Sequence, residues 1–401
     1  MELKGMEYLK SQLKAKRTRV LTRYDYYEMK NIVEYVSKLL PGEYRWLAHS
    51  LGWCGKAVDS IADRLMVNEF RNDNFYMQEI YQLNNSDILF DSAILSALIS
   101  SCSFIYIHEQ DSFPAMEVID GGNATGIIDE TTNLLREGYA VLERDTNGEV
   151  TLEAYFEPGK TTFYPKNEEA YEVENPALYP LLVPIINRPD AVRPFGRSRI
   201  SRACMSLQQG ALRTLKRTEI ASEFFAFPQK YVLGLSEETE FNGRNANYSN
   251  FLAFYKDADG DKPTLGQFQQ QSMAPHIEQL KMFASLFSGE TGLTLDDLGF
   301  PSVNPSSSES IKATHESLRL TAKKAQRTLA TGFINAGYLA ACVRDGEGYK
   351  RQAIYETKIA WEPLFELDGA SMGTVGDAIG KIETAFPGYI TEEKLHDLFG
   401  V

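Results

Sequence analysis

The strongest constraint on the fold is an apolar repeat that runs from Ile311 to Leu339. Its members alternate in steps of four and three residues, which is the spacing of one helix face: Ile311, His315, Leu318, Ala322, Ala325, Leu329, Gly332, Ala336 and Leu339. The preceding Ser306-Ser-Ser-Glu309 fits a capping box. The pattern predicts a helix from Ser307 to about Ala341, roughly 50 Å long. Such a helix suits a strut in an assembly, and an internal coiled-coil hairpin is the ordinary alternative.

Two further helices are predicted upstream of this repeat. From about Ser198 to Phe225 apolar and small residues recur at helical spacing, and a shorter helix is predicted from Met273 to Ser288. The apolar positions of the shorter helix are Ile277, Leu280, Phe283, Ala284 and Phe287. Between the two helices, Tyr231 to Gln267 carries four glycines and predicts a compact β-rich insert.

The amino-terminal half mixes helices and short strands. The first thirty residues, with eight Lys and Arg, predict a small amphipathic helix or an exposed arm. Helical spacing covers Gly42 to Phe70, and Asn84 to Asp87 is expected to cap a helix reaching Ile99, with Ile88, Leu95 and Leu98 buried. Strands are then predicted at 104–108, 140–143, 151–156, 161–164 and 181–186. The fold class is therefore α+β.

Charge and cysteine content narrow the class of protein. The 41 Lys and Arg against 55 Asp and Glu leave a net charge of −14, which argues against a general nucleic-acid coat or an anionic-membrane binder. The four cysteines stand far apart without a CxxC motif, which is typical of reduced intracellular thiols. Neither the start of the chain nor its longest uncharged stretch resembles a signal peptide or a membrane span. No metal site and no cofactor are predicted.

Motifs for catalysis are weak. Gly159-Lys160-Thr161 matches the loosest form of a phosphate-binding loop, but Pro158 removes a backbone N–H and the following residues are poor helix formers. A hairpin turn is the better interpretation. A second motif resembles the first half of a calcium-binding loop, with Asp257, Asp259 and Asp261 at alternate positions. The glycine and the bidentate glutamate of such a loop are missing, so a solvated turn is expected. We therefore predict that the chain is not an enzyme; a nucleotide-binding enzyme that uses residues 159–161 is the remote alternative.

Basic residues gather on the two long predicted helices. The candidates are Arg213, Lys216 and Arg217 on the first, and Lys323, Lys324 and Arg327 on the second. A solvated face, or pairing with acidic residues within or between subunits, is the ordinary interpretation. Contact with DNA phosphates in a channel is the alternative.

Several stretches resemble the portal proteins of tailed bacteriophages, in particular those of long-tailed phages. They are Ala57-Val-Asp-Ser-Ile-Ala-Asp-Arg-Leu65, Val183-Pro-Ile-Ile-Asn-Arg188 with Phe195-Gly-Arg-Ser-Arg-Ile200, Phe227-Pro-Gln-Lys230, Leu298-Gly299 and Asn304-Pro-Ser-Ser-Ser-Glu-Ser-Ile-Lys312. They cover most of residues 24–343 in the family's order. The sequence departs from the family at Arg199, where glutamate is usual.

The resemblance implies a portal fold with a wing, a helical stem, a β-containing clip and a long kinked helix after a tunnel loop, with a small or absent crown. The implied boundaries are a wing at 1–195, stem helices at 196–226 and 272–290, a clip at 227–271, a tunnel loop at 291–306, and the long helix with the second part of the wing at 307–401. It implies a twelve-fold ring at a capsid vertex of the virion, assembled in the bacterial cytoplasm. The implied partners are double-stranded DNA, the terminase packaging motor, a tail adaptor and the major capsid protein.

On the same resemblance, the tunnel loop is expected to present apolar and acidic residues at the narrowest point of the channel. These are Leu293, Leu295, Asp296, Asp297 and Leu298. Candidate contacts of the clip with other proteins are Glu237, Glu238, Glu240 and Arg244. A virion scaffold without a DNA conduit remains the alternative from another class.

Overall fold

A computed structural model describes residues 3–30, 49–226, 230–233, 264–267, 272–301, 313–364 and 369–389. The helices are α1 Met6–Tyr27, α2 Trp53–Ala62, α3 Met77–Leu83, α4 Ser86–Ser100, α5 Arg202–Ala226, α6 Ala274–Thr291, α7 Glu316–Asp345 and α8 Gly369–Ala385, with a 3-10 turn at Arg351–Ile354. The mixture of helix and sheet confirms the predicted α+β class. None of the helices within these ranges is long and apolar enough to cross a membrane.

The strands form four antiparallel sheets. They are β1 Val67–Arg71, β2 Cys102–Gln110, β3 Phe113–Asp120, β4 Ala124–Ile128, β5 Leu135–Arg144, β6 Val150–Glu157, β7 Lys160–Pro165, β8 Tyr171–Glu174, β9 Leu182–Ile186, β10 Lys230–Leu233, β11 Thr264–Gln267 and β12 Lys358–Trp361. The sheet orders are β3-β2-β9, β4-β5-β6-β7-β8, β1-β12 and β10-β11. The five strands predicted from sequence correspond to β2, β5, β6, β7 and β9.

The chain divides into two compact units. The larger contains residues 1–31, 50–208 and 285–401, and the smaller contains residues 32–49 and 209–284. The division falls inside α5 and inside α6.

The core of the larger unit is aromatic and surrounds α7. The ring of Phe333 meets that of Phe90 edge to face at 4.9 Å, and Phe90 lies 4.8 Å from Tyr81. The buried Tyr81 hydroxyl donates to the Phe333 carbonyl at 2.6 Å. All five residues of β9 are buried, and α7 packs on this strand as well as on β2 and β3. Because a buried polar group needs a partner, the Tyr81 bond allows the whole cluster to exclude water.

The first helix, α1, is docked rather than free. Leu9 and Leu13 pack on Tyr139, Val141 and Tyr155 of the five-stranded sheet. Its start is held by the buried Glu137 carboxylate, which accepts from the backbone N–H groups of Lys4 at 2.8 Å and Gly5 at 3.0 Å, and from the Tyr155 hydroxyl at 2.8 Å. A carboxylate there satisfies free N–H groups and complements the helix dipole. Of the two sequence-based alternatives, the helix is the one observed.

The predicted helix at Gly42–Phe70 is wrong in its extent. Residues 31–48 lie outside the described residues, α2 occupies only Trp53–Ala62, and Phe70 belongs to β1, which pairs with β12. The helical spacing there reflects burial of Val58, Ile61 and Leu65, whereas the strand depends on a partner far along the chain.

The expected cap of α4 is also wrong. The Asn84 side chain donates to the carbonyls of Ile80 and Pro114 and accepts from the Met116 N–H, so it joins α3 to β3 instead of capping α4. Asn85, the N-cap residue, makes no side-chain cap bond. Ile88 is 73% exposed and Leu95 is half-buried, while Leu98 is buried as predicted.

Within the smaller unit, α5 and α6 run antiparallel. A Cβ on Gly210 would lie 2.7 Å from the Phe283 ring, and the Thr214 hydroxyl donates to the Gln279 side chain at 3.2 Å. Residues further along α5 therefore contact residues earlier in α6, which is the pattern of an antiparallel pair. β10 and β11 pair in the segment between these helices, which agrees with the predicted β-rich insert. The acidic triplet 257–261 lies outside the described residues.

The predicted long helix is interrupted at His315 among the described residues. Ala313 and Thr314 are helical, His315 is a turn, and α7 runs unbroken from Glu316 to Asp345. The predicted face is buried at Leu318, Ala322, Ala325, Leu329, Gly332, Ala336 and Leu339. The capping box at 306–309 and Ile311 lie outside the described residues. The helix is therefore confirmed in period and face, and its single uninterrupted start is corrected to a break at His315.

Candidate functional site

The six basic candidates differ in their surroundings. On α5, Arg213 is half-buried, Lys216 is only 5% exposed and Arg217 is exposed. On α7, Lys323, Lys324 and Arg327 are all exposed, beside the buried Ala322 and Ala325. Burial of Lys216 within its own chain disfavours contact of this residue with DNA. All six residues stay candidates for the channel or for a neighbouring subunit.

The segment after α6 is a tight, internally bonded turn. Asp297 accepts from the Thr294 backbone N–H at 2.9 Å and from its hydroxyl at 2.8 Å, and the Asp297 N–H donates to the same hydroxyl at 3.2 Å. Burial alone would raise the pKa of Asp297, but these bonds hold it below its ordinary value. Asp297 is therefore charged at neutral pH and fixes the turn.

The apolar side chains of this turn are buried or half-buried. Leu293 and Leu298 are buried, at 3% and 6% exposure, and Leu295 is half-buried, whereas Asp296 is exposed. The alternation of apolar and acidic residues therefore corresponds to the inward and outward sides of one turn, and presentation of this turn at a channel stays a prediction. Residues 302–306 of the predicted tunnel loop lie outside the described residues.

The same turn is tied to the start of α7. Gly292 follows α6 with φ +74°, and its N–H donates to the Ser288 carbonyl at 2.7 Å, which ends the helix in the left-handed conformation that favours glycine. A Cβ there would lie 2.9 Å from the Ser317 hydroxyl of α7. The His315 Nδ1 lies 4.0 Å from the Asp297 carboxylate. The end of α6, the turn and the start of α7 therefore form one packed junction.

The segment Asn187–Ile200, which carried part of the family resemblance, has a defined geometry. The buried Asn187 side chain donates to the Arg197 carbonyl at 2.8 Å, and the Arg197 N–H donates to the Asn187 carbonyl at 2.9 Å. Gly196 has φ +71°, and a Cβ there would lie 2.1 Å from the Asn187 carbonyl oxygen. Only glycine fits this close approach.

This segment closes onto the end of α4. The Ser101 carbonyl accepts from the Asn187 N–H at 3.0 Å, the Ile99 carbonyl from the Ser198 hydroxyl at 2.5 Å, and the Leu98 carbonyl from the Arg199 N–H at 2.8 Å. The last carbonyls of a helix lack partners within the helix, so these donors complete it.

Arg199 is the polar residue that the sequence marked only as a departure from the family. It is 7% exposed, and its guanidinium donates to the Ala57 carbonyl in α2 at 3.1 Å and to the Thr291 carbonyl at the end of α6. Burial lowers the pKa of Arg199 to about 10, which still leaves it charged at neutral pH. The partial negative charge at the carbonyl end of α6 stabilises the charged guanidinium, so Arg199 does not need an ion pair with a carboxylate.

Residues 159–161 do not form a phosphate site. They join β6 to β7 in a hairpin in which Gly159 has φ +77°, Lys160 forms an ion pair with Glu172 at 3.0 Å, and Thr161 is buried. The sequence-based prediction of a hairpin turn is confirmed. The clip candidates Glu237, Glu238, Glu240 and Arg244 lie outside the described residues.

The four cysteines are buried, free thiols, as their spacing predicted. Burial raises the pKa of the Cys54, Cys102 and Cys342 thiols. No group of three or more His, Cys, Asp and Glu side chains able to hold a metal occurs among the residues with described positions.

Comparison with known proteins gives a consistent picture. Residues 6–365 match the family model of the phage portal protein, SPP1 Gp6-like. The chain is 24% identical over 332 residues to the portal protein of Mycobacterium phage L5, covering 77% of this chain and 67% of that protein. It is 25% identical over 319 residues to the portal protein of Mycobacterium phage D29, covering 73% of this chain and 65% of that protein.

Among solved structures, the chain is similar to a protein in the virion of a native gene transfer agent particle, with a TM-score of 0.47, 11% identity and coverage of 95% and 93% of the two chains. A chain in the neck of the native particle, computed with C12 symmetry, gives a TM-score of 0.43 with 14% identity and coverage of 87% and 89%. The family match spans nearly the whole of the α+β fold described above, and the chain therefore belongs to the SPP1 Gp6-like family of phage portal proteins.

Proposed function

We propose that this portal protein assembles into a ring, with an expected twelve subunits, at one vertex of the capsid. The ring serves as the conduit for double-stranded DNA during packaging and ejection. It docks the terminase packaging motor, a tail adaptor and the major capsid protein, and it assembles in the cytoplasm of the bacterial host before becoming part of the virion. The chain has no catalytic role in this proposal.

The observation that carries the proposal is the antiparallel pair α5 and α6 with the β10–β11 pair between them, in a chain that belongs to the portal family. Two long antiparallel helices ending in a small sheet suit a stem and a clip. We assign residues 196–226 and 272–290 to the stem, 227–271 to the clip, 291–306 to the tunnel loop, and 1–195 with 307–401 to the wing and the long helix.

The charge of the chain supports a conduit rather than a DNA-binding protein. Each basic contact to a phosphate adds affinity through counterion release, so many such contacts would resist sliding. A net charge of −14 per chain, with 55 Asp and Glu against 41 Lys and Arg, keeps that affinity low. We propose that some of the six basic candidates (Arg213, Lys216, Arg217, Lys323, Lys324 and Arg327) face either the channel or a neighbouring subunit. We also propose that Asp296 is the member of the tunnel-loop turn that faces the channel.

Purified full-length protein examined by negative-stain microscopy and native mass spectrometry tests the proposal. The expected result is closed rings with a central hole and a mass of about twelve chains. Solitary particles, or open filaments without a hole, would contradict it and would favour the scaffold alternative.

A further inference from the structure

Four arginines lie around the end of α4 in the larger unit, and none of them has a carboxylate partner among the residues that the structure describes. Arg19 and Arg23 lie on α1, Arg193 lies in the segment before α5, and Arg202 is the first residue of α5. Burial lowers the pKa of Arg23, and the charges of Arg19, Arg193 and Arg202 lower it further, so these three lie within electrostatic range of Arg23. We call Arg19, Arg23, Arg193 and Arg202 the arginine patch.

The patch is fixed to the framework at the end of α4. The Arg23 guanidinium donates to the Ser100 carbonyl at 3.4 Å, and the segment that carries Arg193 is anchored to the same helix end through Asn187, Ser198 and Arg199. Three residues from Arg19 along α1, the Lys16 ammonium donates to the Ala124 carbonyl at 2.7 Å and lies over the Phe104 and Phe195 rings at 5.4 Å from each. The backbone segments that carry the patch are thus held in place before any partner arrives, which lowers the entropic cost of binding.

The negative groups around the patch are already engaged. Asp120, which attracts Lys16, accepts bonds from the Gly122 N–H and the Asn123 side chain, and Asp190 pairs with Arg197. Arg19, Arg193 and Arg202 are exposed and make no side-chain hydrogen bond or ion pair with any residue whose position the structure describes. Like charges held close together without counter-charges are unfavourable, so the patch is stabilised by a negatively charged partner.

A complementary surface lies on the five-stranded sheet of the same chain. β8 is an edge strand, and every residue from 166 to 174 is exposed. This segment carries Glu168, Glu169, Glu172 and Glu174, which we call the acidic edge, and only Glu172 pairs with a described basic residue, Lys160. Tyr171 and Val173 are 48% and 47% exposed on the opposite face of the strand and add apolar surface.

We propose that the acidic edge of one subunit docks on the arginine patch of its neighbour. This inference rests on the proposed ring, because a closed ring joins two different, complementary surfaces of identical chains. Four glutamates and four arginines on separate surfaces of one chain match that requirement. DNA is the less favoured occupant, since the chain carries a net charge of −14.

Charge reversal in two triple variants tests the contact. R19E/R193E/R202E changes only exposed arginines, and E168K/E169K/E174K changes only glutamates without a described partner. Each variant alone is expected to raise the concentration needed for half-maximal ring formation by at least about tenfold in native mass spectrometry. Because opposite surfaces then become complementary between the two variants, an equimolar mixture is expected to form rings again with alternating subunits. K14E/K350E/K358E, with the same change in net charge as the arginine variant, is the matched control of that variant and keeps its rings.

The outcomes separate this inference from the proposed function. If the wild-type chain forms no rings, the proposed function fails. If wild-type rings form and either triple variant assembles like the wild type, or if the mixture of two defective variants does not assemble, the docking inference is overturned. If the arginine variant keeps its rings but loses binding of a 30-base-pair duplex in fluorescence anisotropy, the patch contacts phosphates instead. Should R19E/R193E/R202E fail to fold by circular dichroism, the single variants R19E and R202E replace it in the mixture.

Discussion

The helices α6 and α7 are both long and both carry an apolar face, yet they differ in what covers them. α7 is buried along its predicted face and then on nearly every side from Asn335 to Cys342. α6 buries Ala284, Phe287 and Thr291 but leaves Ile277, Met282 and Leu286 exposed by 57%, 48% and 52%. The difference indicates that α7 completes the core of a single subunit, whereas α6 leaves apolar side chains exposed, and we expect the proposed ring to cover them.

The largest effect expected from this comparison is on the stability of α7. Phe333→Ala removes a ring packed on Phe90 and leaves a cavity, so we expect the free energy of unfolding to fall by about 3–5 kcal/mol. Urea denaturation followed by circular dichroism measures it. Ile277→Ala in α6 is the control, with an expected change below about 0.5 kcal/mol. Equal losses in the two variants would remove the contrast between the helices.

Arg199 joins α2 to the end of α6 through hydrogen bonds from its guanidinium. Arg199→Met keeps the length of the side chain but removes one donor from the Ala57 carbonyl and the guanidinium donor from the Thr291 carbonyl, so we expect the free energy of unfolding to fall by about 2 kcal/mol. Arg199→Glu is expected to be worse, because a buried carboxylate would face carbonyl oxygens. Thermal unfolding of both, with the exposed Arg197→Met as control, measures this. A stable Arg199→Glu protein would contradict the role of helix-end carbonyls.

The exposed face of α6 is expected to matter for assembly and not for the subunit. In Met282→Glu/Leu286→Glu the free energy of unfolding should change by less than about 0.5 kcal/mol. Ring formation should be lost, because charges would have to be buried between subunits. Native mass spectrometry reads assembly and urea denaturation reads stability, with Glu278→Lys on the same helix as control. Intact rings in the double variant would show that α6 faces solvent in the assembly.

A smaller effect is expected at alkaline pH from α1. Burial raises the pKa of Tyr24 from 10.0 to about 12, against a smaller opposing effect of its hydrogen bond with Ser96 at 2.8 Å. The unfolded chain therefore loses this proton first, so the stabilising contribution is complete below pH 10 and is lost between pH 10 and about 12. The difference in urea midpoint between wild type and Tyr24→Phe should therefore be smaller at pH 11 than at pH 9. A constant difference between them would contradict this titration.

The smallest effect is expected at the β6–β7 hairpin. Lys160→Ala removes an exposed pair with Glu172, so the urea midpoint should stay within experimental error. ATP should not shift the melting temperature of the wild type or of this variant, because residues 159–161 lie in a hairpin turn and not at a helix start. A shift with the wild type that Lys160→Ala abolishes would revive the nucleotide-binding alternative.

Much of the local structure followed from periodicity. Helical and alternating spacing can be recognised in short windows of sequence. For this reason the sequence predicted the buried face of α7, the approximate spans of α5 and α6, and five strands. The strands β1 and β12 were missed, since each pairs with a partner almost three hundred residues away along the chain. The predicted Asn84 cap was wrong for a similar reason, because the Asn84 amide forms hydrogen bonds with β3, which is not adjacent in the sequence.

The candidate site was predictable only in part. Basic residues on α5 and α7 were visible as a composition bias, but the burial of Lys216 and of Leu293 and Leu298 was not. Periodicity tells which residues share a face, whereas only packing tells whether another element covers that face. The arginine patch had no local signal, because its four residues come from three separate segments.

By itself the sequence determined the fold class, the net charge of −14, the long helices and the family. Only the tertiary structure decided that Arg199 is a buried link between α2 and the end of α6, that the charges of Arg19, Arg193 and Arg202 act on Arg23, and that α6 keeps apolar residues exposed. The physical reason is that secondary structure is specified by neighbours in the chain, while burial and electrostatic environment depend on residues brought together from distant segments.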